Sequence, residues 1–297
     1  MNKHGYVWDP PSHKRKDKKV PSTTKSTKTL VEMSVDSMAS ITSDKEHSLK
    51  EKVGASEWSA RCELAALYRL IAHYRMTDLI DTHLTLRVPG EPEHFLINQY
   101  GIPFERMKAS TLIKIDHEGN NVDDLMPEGK VNAAGFTIHS AIHSARPDLN
   151  CVIHTHTAAG IAVSAQREGL RPLSQHALKF YGHLAYHTYE GIALDLNERE
   201  RLIADLGMHN AMILRNHGLL AAGKDTASAF MEIYFLERAC QAQIQALAGG
   251  VDLIEPTPSV CLHTAAQFHS KAEDEITQFA WNAALVLIQE QQDDYSA

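Results

Sequence analysis

The chain of 297 residues carries 29 Lys and Arg against 37 Asp and Glu, and its formal net charge of -8 argues against the basic face on which generic nucleic-acid binding relies. Hydrophobic residues make up 43%, enough for a sizeable core, and the 22% of charged residues is ordinary for a soluble protein. No run of about 18 apolar residues occurs, so no membrane span is expected; four scattered cysteines (Cys62, Cys151, Cys240, Cys261) form no CxxC pair, against a disulfide framework or a Cys-rich zinc site.

The first 55 residues read differently from the rest. HKRKDKKVPSTTKSTKTL (13–30) is rich in Lys, Ser and Thr and nearly devoid of apolar side chains, so it cannot offset the entropy of ordering. Residues 1–55 are therefore expected to be a disordered tail, either a solvated leader or a basic cluster (Lys14 to Lys19) for an acidic surface. There is no apolar signal-peptide core and no Arg-rich transit helix, and a cytoplasmic location is expected.

Residues 56–297 read as one α/β domain. EWSARCELAALYRLIAHYRM (57–76) places Leu64, Leu67, Tyr68 and Ile71 at helical spacing. Short strands are predicted over 82–88, 94–98 and 112–116, with turn residues in VPGEPE between the first two. NAAGFTIHSAIHSA (132–145) reads as a helix ended by Arg146-Pro147-Asp148, since proline cannot continue it. A strand, CVIHTHT, and a helix around AAGIAVSAQR follow. GHLAYHTYEG looks extended, AMILRN (211–216) a buried strand, and 225–248 and 264–290 long helices.

On a strand, alternate side chains share a face, so His154 and His156 can reach one ion, while Cys151 falls on the opposite face and reads as core. With 18 histidines in the chain, about one HxH arises by chance, so spacing alone is a poor signal. The pair sits late in an apolar strand, and a third histidine, His217, follows another apolar run and precedes a glycine. Three neutral imidazoles with an open fourth position form a catalytic zinc geometry. The competing reading is three unrelated polar histidines.

RPDLNCVIHTHTAAG, GIPFERMKASTLIKID and ILRNHGLLAAG together resemble the class II aldolase/adducin family over about residues 57–250. AAGFTIHSAIHSARPD, EHFLI and LAYHTYEGI look closer to the adducin head than to sugar-phosphate aldolases. The resemblance implies a three-layer α/β/α sandwich around a central mixed, mostly antiparallel sheet. It implies homo-oligomers, often tetramers, and a zinc or other divalent ion held by His154, His156 and His217. That ion would polarise a hydroxy-carbonyl substrate during aldol cleavage or epimerisation.

Two departures from the family pattern bear on chemistry. Gly135 stands where the aldolases carry a Glu that ligates or moves protons, and His83, Tyr100-Gly101 and Ala133-Ala134 stand where they hold phosphate. A small, non-phosphorylated hydroxy-carbonyl substrate is therefore expected. His139, four residues before His143 on the same helix face, is the candidate catalytic residue in place of the Glu, with a hydrogen-bonded structural histidine as the competing reading. Tyr186, Tyr189 and Glu190 are further possible proton carriers. The alternative function is a non-catalytic, adducin-like assembly module with actin or the cytoskeleton as partner.

Overall fold

A computed structural model describes residues 50–123, 126, 128–191, 197–270, 272–289 and 294–296. The expected tail therefore lies, up to residue 49, outside the described residues. Helix α1 (Ala55–His73) opens the domain, and strands β1 (His83–Val88), β2 (Glu91–Asn98) and β3 (Leu112–Ile115) follow. Helix α2 (Ala133–Ala145) leads into β4 (Cys151–Thr155). Next come α3 (Ala158–Ser164), α4 (Gln175–Leu178), β5 (Leu184–His187), α5 (Glu198–Leu206), β6 (Ala211–Leu214) and β7 (Gly218–Gly223). The long α6 (Thr226–Ala248) precedes α7 (Pro258–Phe268) and α8 (Glu273–Gln289).

The strands form one seven-stranded sheet in the order β3-β2-β1-β4-β7-β6-β5. Every neighbouring pair is antiparallel except β5 with β6. Alternation sorts the central strands between two helical layers. Cys151 and Ile153 on β4, with Leu219 and Ala221 on β7, join the core beneath α1, α6 and α8. Val152, Leu220 and Ala222 point the other way, against Ile138 and Ile142 of α2 and Leu202 and Leu206 of α5. The result is the expected three-layer α/β/α architecture with a mixed, mostly antiparallel sheet.

Several boundaries differ from those read off the sequence. The strand carrying the histidine pair ends at Thr155, so His156 lies just beyond it. The strand over 211–216 stops at Leu214, because residues 215–217 form the hairpin loop into β7. The single helix expected over 264–290 is two helices, and packing explains the break. Cys261 and Ala265 are buried on α7, whereas α8 buries Trp281, Ala284 and Ile288 in the core beneath α1 and α6. Between them His269 donates from Nε2 to the Lys179 carbonyl at 3.1 Å, tying the end of α7 to the α4 region. Among the described residues no helix is long and apolar enough to cross a membrane.

Candidate metal centre

The site forms where the end of β4 meets the β6–β7 hairpin. Antiparallel pairing sets His154 opposite Leu220 on β7 and opposite His83 on β1. His217 occupies the last position of the hairpin loop, whose tight turn puts Asn216 in the left-handed region (φ 56°). That conformation is tolerated by Asn, whose short side chain makes it one of the few non-glycine residues found there. Gly218 is a glycine for another reason: a Cβ there would overlap the Thr155 carbonyl oxygen of the adjacent strand. The hairpin can therefore lie close against β4 and present His217 to His154 and His156.

The three Nε2 atoms converge. His154 lies 2.8 Å from His156 and 3.2 Å from His217, and His156 lies 2.9 Å from His217. Tetrahedral zinc with Zn–N bonds of 2.0–2.1 Å sets its nitrogens about 3.3 Å apart, close to these spacings. Partners at the far ring nitrogens assign the tautomers. His154 donates its Nδ1–H to the Leu219 carbonyl at 2.9 Å, and His156 donates its Nδ1–H to the Asp78 carboxylate at 3.1 Å. An imidazole that carries its one proton on Nδ1 presents a bare lone pair on Nε2. His217 can donate one proton to only one of them, so a contact between lone pairs remains, an arrangement suited to a shared cation. Burial, then the neighbouring histidines, holds His154 well below the usual imidazole range, and burial followed by His156 lowers His217 to about 4. Both are thus in the neutral form that metal ligation requires.

The three histidines line a cavity of about 410 Å³ together with Asp78, Asp81, His83, Tyr100, Asn132 and Tyr189. No Lys or Arg is among its described lining residues. Tyr189 is half-exposed, its ring centre 6.3 Å from that of His217, and Tyr100 donates to Asp81 at 3.2 Å. His139 does not line the cavity. It sits one layer back, between α2 and β1, its ring centre 4.3 Å from that of His83.

A buried hydrogen-bond chain fixes this rear layer. His143 Nδ1 donates to the Leu149 carbonyl at 3.3 Å, so its Nε2 accepts from the Thr85 hydroxyl at 2.7 Å. The Thr85 oxygen in turn accepts from His139 Nδ1 at 2.7 Å. His139 Nε2 is left as a buried acceptor without a partner. His143 also stacks on Phe95, with ring centres 4.4 Å apart.

The other residues singled out in the sequence are engaged elsewhere. Glu190 pairs with Arg201, whose hydrogen bond holds the carboxyl below its usual range. The Tyr186 hydroxyl accepts from the Leu170 amide at 3.0 Å, and Arg215 lies over the ring. His187 is buried between Asp205 and Glu198, and His183 packs against His269. Cys151 is fully buried on the opposite face of β4, as alternation required. Asp78 was not found by sequence reasoning. It lies in the loop between α1 and β1, where no periodicity or motif marks it.

Two outcomes follow from this geometry. Removing the orienting carboxylate by Asp78→Ala should weaken zinc binding about 10- to 100-fold, measured by competition with a chromogenic chelator; unchanged affinity would count against the carboxylate's role. The second concerns acid stability. Burial, then Arg87, lowers His143 to about 3 in the fold, while the unfolded chain titrates near 6.5. Below that value the unfolded state takes up a proton that the folded state refuses, so stability falls as pH drops from about 6.5 toward 3. His143 should account for a loss of about 2 kcal/mol between about pH 7.5 and pH 5. Denaturant titrations of the metal-free protein should show a shallower pH dependence for His143→Phe than for the wild type, and equal slopes would refute the assignment.

The chain matches the Class II Aldolase and Adducin N-terminal domain family over residues 62–244. It is 52% identical over 211 residues to a candidate class 2 aldolase of Caulobacter vibrioides, covering 71% of this chain and 81% of that protein. It is 45% identical over 202 residues to alpha-adducin of Rattus norvegicus, covering 66% of this chain but 27% of the adducin. Among solved structures, an aldolase II superfamily protein from Pseudomonas syringae superposes with a TM-score of 0.78 at 48% identity, covering 84% of this chain and 99% of that one. L-fuculose 1-phosphate aldolase from Glaciozyma antarctica gives 0.70 at 28% identity, covering 82% and 95%. With its three convergent histidines set in this sheet, the chain belongs to the class II aldolase and adducin N-terminal domain family.

Proposed function

We propose that the protein is a divalent-metal lyase, or an epimerase-like relative, acting on a small, non-phosphorylated hydroxy-carbonyl compound. The observation that carries this reading is the convergence of three Nε2 atoms within 3.2 Å, two of them held as lone-pair donors by the Leu219 carbonyl and the Asp78 carboxylate. His154, His156 and His217 would hold the ion, and an all-imidazole donor set suits zinc. A bound divalent ion there supplies Lewis-acid stabilisation of negative charge developing on a substrate oxygen.

The protein's own residues supply the rest. Asp78 orients His156, the Leu219 carbonyl orients His154, and the cavity admits a compound of a few carbon atoms. Two carboxylates and no described Lys or Arg line that cavity, so a phosphate dianion would meet repulsion without a counter-charge. This supports a non-phosphorylated substrate, in contrast with the sugar phosphate named for the Glaciozyma relative. His139 we assign as a positioning residue, since it stands behind His83 rather than in the cavity. Four free cysteines fit a reducing, cytoplasmic setting. Self-association belongs to this reading, because α8 leaves Ile276, Phe279, Val286 and Leu287 exposed.

One observation favours a second reading, an adducin-like assembly module binding actin: the 45% identity to alpha-adducin. Turnover decides between the two. Zinc-loaded protein assayed against paired hydroxy-ketones and aldehydes should cleave or form one pair at least about 100-fold faster than His154→Ala, the scale expected when a catalytic group is lost. Turnover no greater than in His154→Ala, together with saturable co-sedimentation with actin filaments, would replace the enzyme reading with the assembly one.

A further inference from the structure

His156 stands outside the sheet. The ladder between β4 and β7 ends at Thr155, so residue 156 belongs to the turn that leads into α3. One residue on, Thr157 caps that helix, its hydroxyl oxygen accepting from the Gly160 amide at 3.1 Å. The same hydroxyl donates to Oε2 of Glu237, on α6, at 2.5 Å. Gln241, one turn further along α6, donates from Nε2 to the other carboxyl oxygen at 2.6 Å and accepts from Arg238 at 2.9 Å. Gly160 brings α3 close to β7 as well, since a Cβ there would meet the Leu219 side chain at 2.6 Å.

A carboxyl group is a costly choice for this place. Glu237 is 4% exposed, and burial raises its carboxyl above the usual range. Packing alone between α6 and α3 could be met by an apolar side chain without taking a polar group out of water. An apolar contact lacks direction, however. The Thr157 hydroxyl is held from two sides, by the carboxyl that takes its proton and by the amide that bonds its oxygen. That pair of bonds fixes the side-chain rotamer and the backbone at 157, about 3.8 Å along the chain from the Cα of His156. A site of this kind tolerates displacements of only about 0.5 Å. The ring of His156 is tied by Asp78, and its backbone by this latch.

We propose that Glu237 is a positioning residue for the metal centre: by accepting the Thr157 hydroxyl it fixes the turn between β4 and α3, and with that turn the place of His156 among the three nitrogens. Glu237 touches none of the histidines and acts through Thr157 alone. The competing role is a cap lock that only adds stability to α3 and α6. The two differ in what they move: a cap lock changes the unfolding midpoint, whereas a positioning residue also changes how the folded protein holds its ion. This inference rests on the metal-site reading above, and its test separates the two.

Zinc affinity of the full chain, measured by chelator competition at a temperature where every variant is folded by circular dichroism, is the first readout. Glu237→Met, similar in length but unable to accept strongly, should weaken zinc about tenfold or more, as loss of an outer-shell partner does. Thr157→Val, which keeps the shape and removes the hydroxyl, should do the same, and serves alone should the methionine variant fail to fold. The double variant should lose no more than either single one, because both break one bond. Thr157→Ser, which keeps the hydroxyl, should stay within about twofold of the wild type, too small a change for a lost outer-shell partner. The second readout is the visible spectrum of the cobalt-loaded protein, whose bands report ligand geometry: they should shift in Glu237→Met and Thr157→Val and keep the wild-type form in Thr157→Ser. Variants that lose stability while zinc affinity and cobalt bands stay as in the wild type overturn the assignment and leave the metal site standing, as does a Thr157→Ser as impaired as Thr157→Val. Failure of the wild type to bind zinc overturns both.

Discussion

Three imidazole nitrogens held within 3.2 Å of one another impose the constraint around which this domain is arranged. Imidazoles do not gather with their lone pairs inward unless their far sides are tied down and the backbone leaves no alternative. Here the ties are a β7 carbonyl and a loop carboxylate, and the backbone is an antiparallel pair joined to a hairpin whose glycine admits it against the Thr155 carbonyl. The cost of burying these groups is met by the surrounding layers. β4 and β7 sit in the middle of the sheet, covered on both faces, so the strand end bearing His154 does not fray.

The same face of the sheet carries a second polar layer behind the first. His83, Thr85, His139 and His143 are all buried between β1 and α2. Burial keeps the three histidines well below their ordinary range, and a continuous chain from Leu149 to His139 fixes the tautomers of His143 and His139. Such a layer contributes less to stability than apolar packing would, because satisfied hydrogen bonds yield only about 1 kcal/mol each while unsatisfied ones cost more. Its value lies in orientation: it locks His139, whose ring packs on His83 at the edge of the cavity. Tuned orientation behind a metal site is a common second layer of control.

Much of the architecture was legible in the sequence. Leu64, Leu67, Tyr68 and Ile71 announced α1 by spacing, and the runs at 82–88, 112–116 and 151–157 announced strands that the structure contains, the last of them two residues shorter. His154, His156 and His217 were singled out from an HxH late in an apolar strand and a histidine between an apolar run and a glycine, and the family resemblance joined them into one set. What escaped was set by tertiary contact. Asp78 reaches the site only because a loop after α1 carries it to His156. His139 looked like the reacting residue because its helix position was visible, whereas His83, which lines the cavity, was visible only as a departure from a phosphate-binding pattern. The break between α7 and α8 has no Gly or Pro to mark it, and different packing partners on either side produce it. Strand β7 was missed because GLLAAG offers no alternation, being buried on both faces.

The central claim is that one cation is shared by residues 154, 156 and 217. X-ray absorption spectroscopy of the zinc-loaded protein tests it directly. The expected spectrum has three imidazole nitrogens at about 2.0–2.1 Å, with one scatterer lost in each of His154→Ala, His156→Ala and His217→Ala. A spectrum dominated by oxygen or sulfur, or one unaltered by all three substitutions, would contradict it.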